Sequence, residues 1–406
     1  MKKDLKIFTK NIEDEALAQI DLLLTQDAFK DSKVRIMPDV HAGTGCVIGF
    51  TGDLGNKVIP NIVGVDLGCG MYTANLGNIH LNLAKLDEVI RQYVPSGFNV
   101  HAGRMNKFPD IQSLKCYRNL KDTRRFERSL GTLGGGNHFI EVDIDEDDNK
   151  YLVVHTGSRN LGKQVADYYQ NLADKIRNYG MDEYHTKAQA IITEYKAAGR
   201  RQEIQEVLKA LMKEYLESKE RIPKDLAYLE GTYRDDYLHD MQICQKFASE
   251  NRKIIVDIIC QQMNLKIIDN FETIHNYIDL KSNIVRKGAI SAKKGEIILI
   301  PINMRDGCII GKGKGNKDWN ESAPHGAGRL MSRREAKSTF KLEDFKAAMQ
   351  GIYTTSVNEG TIDEAPFVYK PIAEILDNIG DTVEILKIIK PIYNFKASDL
   401  KKEEAE

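Results

Sequence analysis

The sequence predicts an α+β fold, with central β-sheets, flanking helices and a helical hairpin inserted among them. Three observations predict it. Short β-rich runs recur along most of the chain. Glycines are bunched, nine of them between Gly43 and Gly77, a run at Gly134, Gly135 and Gly136, and a third cluster from Gly288 to Gly328. By contrast, only Gly199 interrupts residues 181–230, where apolar residues recur with helical spacing.

In chain order, an amphipathic helix is expected from Asn11 to Leu24, with Asn11 as its N-cap. Strands follow at Val34 to Met37, Cys46 to Phe50 and Met71 to Leu76, then a second amphipathic helix from Leu81 to Val94 and a strand from Tyr151 to His155. Residues 163–262 read as a helical region containing the hairpin, at about 181–222. Its first arm carries Ala188, Ile191, Ile192 and Tyr195, and its second Ile204, Val207, Leu208, Leu211 and Tyr215. Gly199-Arg200-Arg201 makes the turn and Pro223 closes the second arm. Eight Lys/Arg balance eight Asp/Glu across 181–223, which suits a solvated arm better than an RNA-gripping one. Further helix is expected from Leu226 to Met263, then strands at Ile284 to Ala289, Glu296 to Pro301 and Val383 to Ile389. With no internal repeat and no low-complexity linker, residues 1–406 read as one domain.

Composition narrows the class of protein. A content of 42% hydrophobic residues and a net charge of −1, from 58 Lys+Arg and 59 Asp+Glu, excludes a disordered chain and a generally basic one. No apolar run reaches the roughly 18 residues of a membrane span, and MKKDLKIFTKN lacks the apolar stretch of a signal peptide. The expected location is the cytoplasm. Six cysteines without a CxxC pair suit reduced thiols, so each is core, ligand or nucleophile.

Chemistry concentrates in the histidines. Four of nine lie in glycine-containing loops: Asp39-Val40-His41-Ala42-Gly43, Gly136-Asn137-His138-Phe139, Val154-His155-Thr156-Gly157 and Pro324-His325-Gly326-Ala327-Gly328. Glycine lets the backbone approach a ligand closely, so a ring flanked by glycines suits a metal or phosphate site at strand ends. Any one of them could instead be a satisfied turn histidine; together that reading weakens. Asp66-Leu67-Gly68-Cys69-Gly70 puts a carboxylate and a thiol three residues apart, close enough to reach one ion. A thiolate can bridge two divalent cations, with imidazoles completing sites suited to zinc or manganese; the alternative is a buried thiol in a tight turn. His80, His101, His185 and His239 occupy polar contexts and read as surface residues.

Two other signals are weaker. Gly311-Lys312-Gly313-Lys314-Gly315-Asn316 could cradle a phosphate but lacks the order of a P-loop. From Arg104 to Arg128, eight Lys/Arg face three Asp/Glu, with Phe108, Tyr117 and Phe126 interleaved; this suits either a nucleic-acid backbone or a solvated basic face.

Read in order, MPDVHAG, VGVDLGCGM, LGTLGGGNHFIE, VVHTGSRNLG, IHNY, RKGAISA and SAPHGAGRLMSR resemble the RtcB family of RNA-splicing ligases, from about Met37 to Lys396. The resemblance implies an RtcB-type α+β fold and an enzyme that joins an RNA 3′-phosphate or 2′,3′-cyclic phosphate end to a 5′-hydroxyl end, using GTP and two Mn2+ ions. It makes Asp66, Cys69, His138, His155 and His275 the manganese ligands, with Cys69 bridging. His325 would be the nucleophile that carries GMP, oriented by Asp39 and flanked by Gly326, Ala327 and Gly328. Glu141 would accept from guanine N1 and N2, while Phe139, Tyr369 and Lys396 line the base. Asn137, Arg159 and Arg329 would hold RNA phosphates, Asn137 also facing the nucleotide.

There are departures. Many members read IPGSMG followed by a further Ser, where this chain has Ile300-Pro301-Ile302-Asn303-Met304-Arg305-Asp306-Gly307-Cys308, so Asn303 and Cys308 replace hydroxyls expected at the nucleotide. A C-terminal Lys-Gly is here Lys396-Ala397 with nine further residues. The NMRDG, GKGN and DWN segments resemble a subgroup sometimes found beside a release-factor-like protein and linked to RNA repair, so a release-factor-like or activating protein is a possible partner beside RNA. The competing reading is a two-metal phosphodiesterase that activates water on RNA or nucleotides. His325 separates the two, because a hydrolase does not need a free imidazole in a Gly-rich loop beside GRLMSRR.

Overall fold

The computed structural model describes residues 4–29, 31–218 and 221–397. The first three residues, residue 30, two near the end of the hairpin's second arm and the nine after Ala397 lie outside them. The α+β expectation holds. Five strands form one sheet in the order Leu5–Ile7, Val34–His41, Ile48–Asp53, Ile284–Lys287 and Asn276–Asp279. Seven form a second: Ile297–Asn303, Gly307–Gly313, Val383–Phe395, Phe139–Ile144, Lys150–Thr156, Gly70–Gly77 and Asp269–Ile274. All neighbours in this second sheet are antiparallel. It curls until its edges meet, where Leu299 N donates to Thr273 Oγ1 at 3.2 Å.

The curl explains the patterning. On Phe139–Ile144, Ile140 and Val142 face outward into an apolar layer that includes Leu86 and Ile90 of the helix Leu83–Tyr93 and Ile255 and Ile259 of the helix Gly231–Met263. Alternate side chains face the inside of the curl, where Phe139 joins Met71, Val153, Leu299, Cys308 and Ile310. Glu141 and Asp143 share that inner face, so the strand does not read as apolar in the sequence. The polar strand Asp269–Ile274 and the glycine-containing Gly307–Gly313 escape sequence reading for similar reasons.

Several boundaries differ from expectation. The first helix is Asp14–Leu24 with Glu13 before it; Asn11 does not cap it, and its amide donates to Glu374 instead. The run Ile284 to Ala289 breaks at Gly288, whose φ is +59°, into Ile284–Lys287 and Ala289–Ser291. Helix begins at Arg159 rather than 163, and the segment expected to start at Leu226 begins at Gly231, after a 3-10 turn and the short strand Leu229–Glu230. The hairpin is present as Met181–Ala197 and Ile204–Ser218. Asn178 clips its base, exchanging hydrogen bonds of 2.8 Å with both Ile222 N and Ile222 O. Among the described residues no helix is long and apolar enough to cross a membrane. The six cysteines are free and buried.

Candidate active site

Four neighbouring strands of the curled sheet bring one set of side chains to their shared end. His138 precedes Phe139–Ile144, His155 lies near the end of Lys150–Thr156, Cys69 precedes Gly70–Gly77, and His275 follows Asp269–Ile274. Cys69 Sγ is 3.6 Å from His138 Nε2 and 3.3 Å from His155 Nε2. His155 Nε2 is 3.4 Å from His275 Nε2, and His138 Nε2 is 2.9 Å from Asp66 Oδ2. The possible ligands fall into two groups, Cys69-His155-His275 and Asp66-Cys69-His138, which share Cys69.

The surroundings orient these groups. His138 Nδ1 lies 3.0 Å from the Leu133 carbonyl and His155 Nδ1 3.2 Å from the Asn137 carbonyl, so in each ring Nδ1 carries the proton and Nε2 faces the cluster. His138 Nε2 and Asp66 Oδ2 face each other across this gap, a pair of donors that one cation can share. Burial pushes His155 and His275 well below the usual histidine range, into the ligating form. Burial acts to raise the Asp66 carboxyl, but the bond and charge of His138 outweigh it and leave it low. Burial and the Asp66 charge push the Cys69 thiol well up, a shift that a bound divalent cation would reverse. Gly157 is required here, since a Cβ on it would stand 2.1 Å from Asp66 Oδ1.

The buried Arg252, on the long helix, ties the loops down from behind. It donates to the carbonyls of Gly68 at 2.8 Å and Thr156 at 2.7 Å, and to Glu272 at 2.7 Å. Asn251 beside it donates to the Thr132 and Gly157 carbonyls.

His325 lies beyond His275, with ring centroids 4.8 Å apart. It follows the strand Ser322–Pro324, which pairs with Ala289–Ser291. Its Nδ1 donates to Asp39 Oδ2 at 2.6 Å, and the same oxygen accepts from His325 N at 3.0 Å and Gly326 N at 3.2 Å. The fully buried Asp39 therefore fixes ring and loop together, leaving Nε2 with the lone pair. Gly328, at φ +77°, packs onto the Asp39 backbone, where a Cβ would meet the carbonyl oxygen at 2.3 Å.

His325 opens on a cavity of about 710 Å³, also lined by Asn137, Phe139, Glu141, Asn303, Gly326, Ala327, Gly328, Arg329, Tyr369 and Lys396. Lys396 Nζ pairs with Glu364 at 2.7 Å, reaches the Asn137 carbonyl at 3.3 Å and lies 5.3 Å from the centre of the Phe139 ring. Tyr369 donates to Glu364 at 2.7 Å. Burial opposes ionisation of Glu364, yet the charges of Lys396 and Arg333 bring its carboxyl down to about 2. His41 also lines the cavity, and burial lowers it to about 4.

Under the cavity floor, Glu141, Asp143 and Cys308 bring two carboxylate oxygens and a thiol within 4.8 Å of one another. Asn394 donates to Glu141 Oε2, and neither oxygen of Asp143 has a hydrogen-bond partner. Burial raises both carboxyls, Asp143 the further because Glu141 repels its ionised form. The pair therefore holds its proton on Asp143 and leaves Glu141 as an acceptor.

Two expected placements change, those of Cys308 and His101. Cys308 does not line the cavity; it is buried behind Glu141, its Sγ 3.7 Å from Glu141 Oε1, because alternation along Gly307–Gly313 turns it into the curl. Arg159, expected at RNA phosphate rather than at the nucleotide, lies outside the cavity, tied to Thr132 Oγ1 at 3.2 Å and the Gly97 carbonyl at 3.1 Å, on the Asp66 side of the cluster. His101 is half-buried against the Gly131 carbonyl rather than a surface residue. Asn303 reaches the cavity but spends its side chain on the turn, bonding Asp306 and the Arg305 amide. In the GKGKG segment, Gly313, Lys314 and Gly315 donate their amides to Glu296, Thr382 and Ala292, so no phosphate cradle remains. Sequence reading missed Glu364, Arg252 and Asn394. Glu364 stands in the DEAPFVYK segment five residues before Tyr369, which was the one available signal.

Residues 25–397 match the family model described as tRNA-splicing ligase RtcB. The chain is similar to the RNA-splicing ligase RtcB of Escherichia coli strain K12, at 31% identity over 96% of this chain and 97% of the relative. It is also similar to the tRNA-splicing ligase RtcB of Aeropyrum pernix, at 26% identity over 84% and 82% of the two chains. The RNA-splicing ligase RtcB2 of an Escherichia coli strain is 24% identical over 98% and 97%.

Proposed function

This chain belongs to the RtcB family and is an RNA ligase, and from that premise we propose that it seals RNA 3′-phosphate or 2′,3′-cyclic phosphate ends to 5′-hydroxyl ends through a histidyl–GMP intermediate on His325, in tRNA splicing or RNA repair in the cytoplasm. The observation that carries this reading is the Asp39–His325 pair at the mouth of a cavity large enough for a nucleotide. With Nδ1 held by Asp39, Nε2 attacks the α-phosphorus of GTP and pyrophosphate leaves. An oxygen of the RNA 3′-phosphate then attacks the GMP phosphorus, and His325 departs as a neutral imidazole. Finally the 5′-hydroxyl attacks the 3′-phosphorus and GMP leaves. A cyclic phosphate is first opened to the 3′-monoester by water.

Guanine is chosen by Glu141, whose ionised carboxylate accepts from N1–H and the N2 amino group, donors that adenine lacks in that arrangement. Phe139, Tyr369 and Lys396 enclose the base, and Arg329 and Asn137 face the phosphates. Two divalent cations, manganese on the family pattern, fit the donors Asp66, Cys69, His138, His155 and His275, and when bound would neutralise phosphoryl charge. The hydrolase reading gains nothing from the arrangement, since it leaves the oriented His325 without a task.

The test is incubation with α-labelled GTP and manganese, then denaturing electrophoresis. Acid-labile label on the wild-type chain, absent with labelled ATP and absent in His325→Ala, is expected. Label retained by that variant would move the nucleophile elsewhere.

A further inference from the structure

The basic stretch 104–128 is not used by the nucleotide site, and its aromatic residues are not what the sequence suggests. Phe126 is buried, and Phe108 and Tyr117 pack against the core. The aromatic ring offered to solvent is Phe98, 94% exposed. Leaving a whole phenyl ring in water forgoes the free energy of burying it, and hydrogen bonds hold the backbone beneath it in place.

That backbone is pinned to the glycine run leading into His138. Gly97 N donates to the Gly134 carbonyl and Leu133 N to the Pro95 carbonyl, both at 2.9 Å. Arg159 holds the Gly97 carbonyl, and the Arg125 guanidinium donates to the carbonyl of Phe98 itself. Arg125 belongs to the short helix Thr123–Arg128, which exposes Arg124 and Arg128 four residues apart. The helix's acid, Glu127, is neutralised by Arg104 at 2.6 Å. The active-site side chains run in the order Asp66, His138, Cys69, His155, His275, His325. Arg159 and Phe98 therefore stand at the end opposite His325, where RNA can approach without crossing the nucleotide cavity.

We propose that Phe98 is a stacking platform for an unpaired RNA base beside the ends being joined, with Arg124 and Arg128 drawing in the strand's phosphates. An exposed aromatic ring next to cationic side chains is the arrangement that grips single-stranded nucleic acid without reading sequence. The inference rests on the chain being an RNA ligase and is independent of how GTP is bound.

Fluorescence anisotropy of the full-length protein with a labelled single-stranded RNA bearing a 3′-phosphate tests it. Phe98→Ala should weaken binding roughly 5- to 100-fold, while Phe98→Trp stays near wild type. Both variants should form the GTP-derived covalent label at the wild-type rate when RNA is absent. An RNA with one abasic position at the stacked base should bind the wild type as weakly as the intact RNA binds Phe98→Ala, with little further loss when the two are combined. Wild-type affinity in Phe98→Ala, or losses that simply add at every abasic position, would overturn the platform. The double variant Arg124→Ala/Arg128→Ala should flatten the dependence of log affinity on log salt by about 1.4; an unchanged slope overturns the role of those arginines.

Discussion

At the scale of single residues, Asp39 and Asp143 show how burial gives two aspartates opposite work. Asp39 meets three N–H donors on one oxygen and acts as an acceptor for His325. Asp143 meets none, and burial and the neighbouring Glu141 keep it protonated against the opposing pull of the Cys308 thiol and the charge of Lys390. An acid raised on folding keeps a proton that the unfolded chain gives up. Its contribution to stability therefore falls as pH climbs past the unfolded value, about 3.9, toward the folded one. Asp143→Asn removes that loss. The variant should match the wild type near pH 4 and exceed it by pH 7, read as urea midpoints across that range; parallel curves would mean that Asp143 is ionised when folded. Cys69 and His325 were legible in the sequence because glycines flag them, and Asp39 only through the family resemblance. Asp143 was not, because the absence of a donor is a property of its surroundings.

Among elements, the curled sheet and the helix Gly231–Met263 divide the labour. The sheet gathers Cys69, His138, His155 and His275 at one end, and the helix sets the loops that carry them. Arg252→Ala should leave the strands intact while loosening the Gly68 and Thr156 carbonyls on either side of the cluster. Affinity for manganese, measured by titration of metal-free protein, should drop about 10- to 100-fold, the usual cost of losing a support behind metal ligands. Unchanged affinity would show that the loops hold without it. Strands such as Lys150–Thr156 and Val383–Phe395 were readable from their apolar runs, although the latter extends six residues past its expected end. Phe139–Ile144 was not, because its inner face carries the polar residues of the site. Arg252 was equally hidden: its carbonyl partners lie 184 and 96 residues away in sequence.

For the whole molecule, the hairpin Met181–Ala197 and Ile204–Ser218 projects from a base closed by Asn178 and Ile222, so its two ends meet whether or not the arm is present. Replacing residues 181–221 with a short Gly-Ser linker should preserve the fold and the covalent label from GTP, with thermal midpoints within a few degrees. Loss of label would tie the arm to the nucleotide site. By itself the sequence determined the α+β class, the hairpin, the family likeness and the glycine-flanked histidines, because each depends on local spacing or on order along the chain. Tertiary structure alone decided that Cys308 lies behind Glu141, that Glu364 joins Lys396 to Tyr369, that Arg159 ties Thr132 to Gly97 beside Asp66 and that Phe98 is bare. The physical reason is that burial and pairing depend on which distant strands the curled sheet brings together, and local spacing carries no record of those partners.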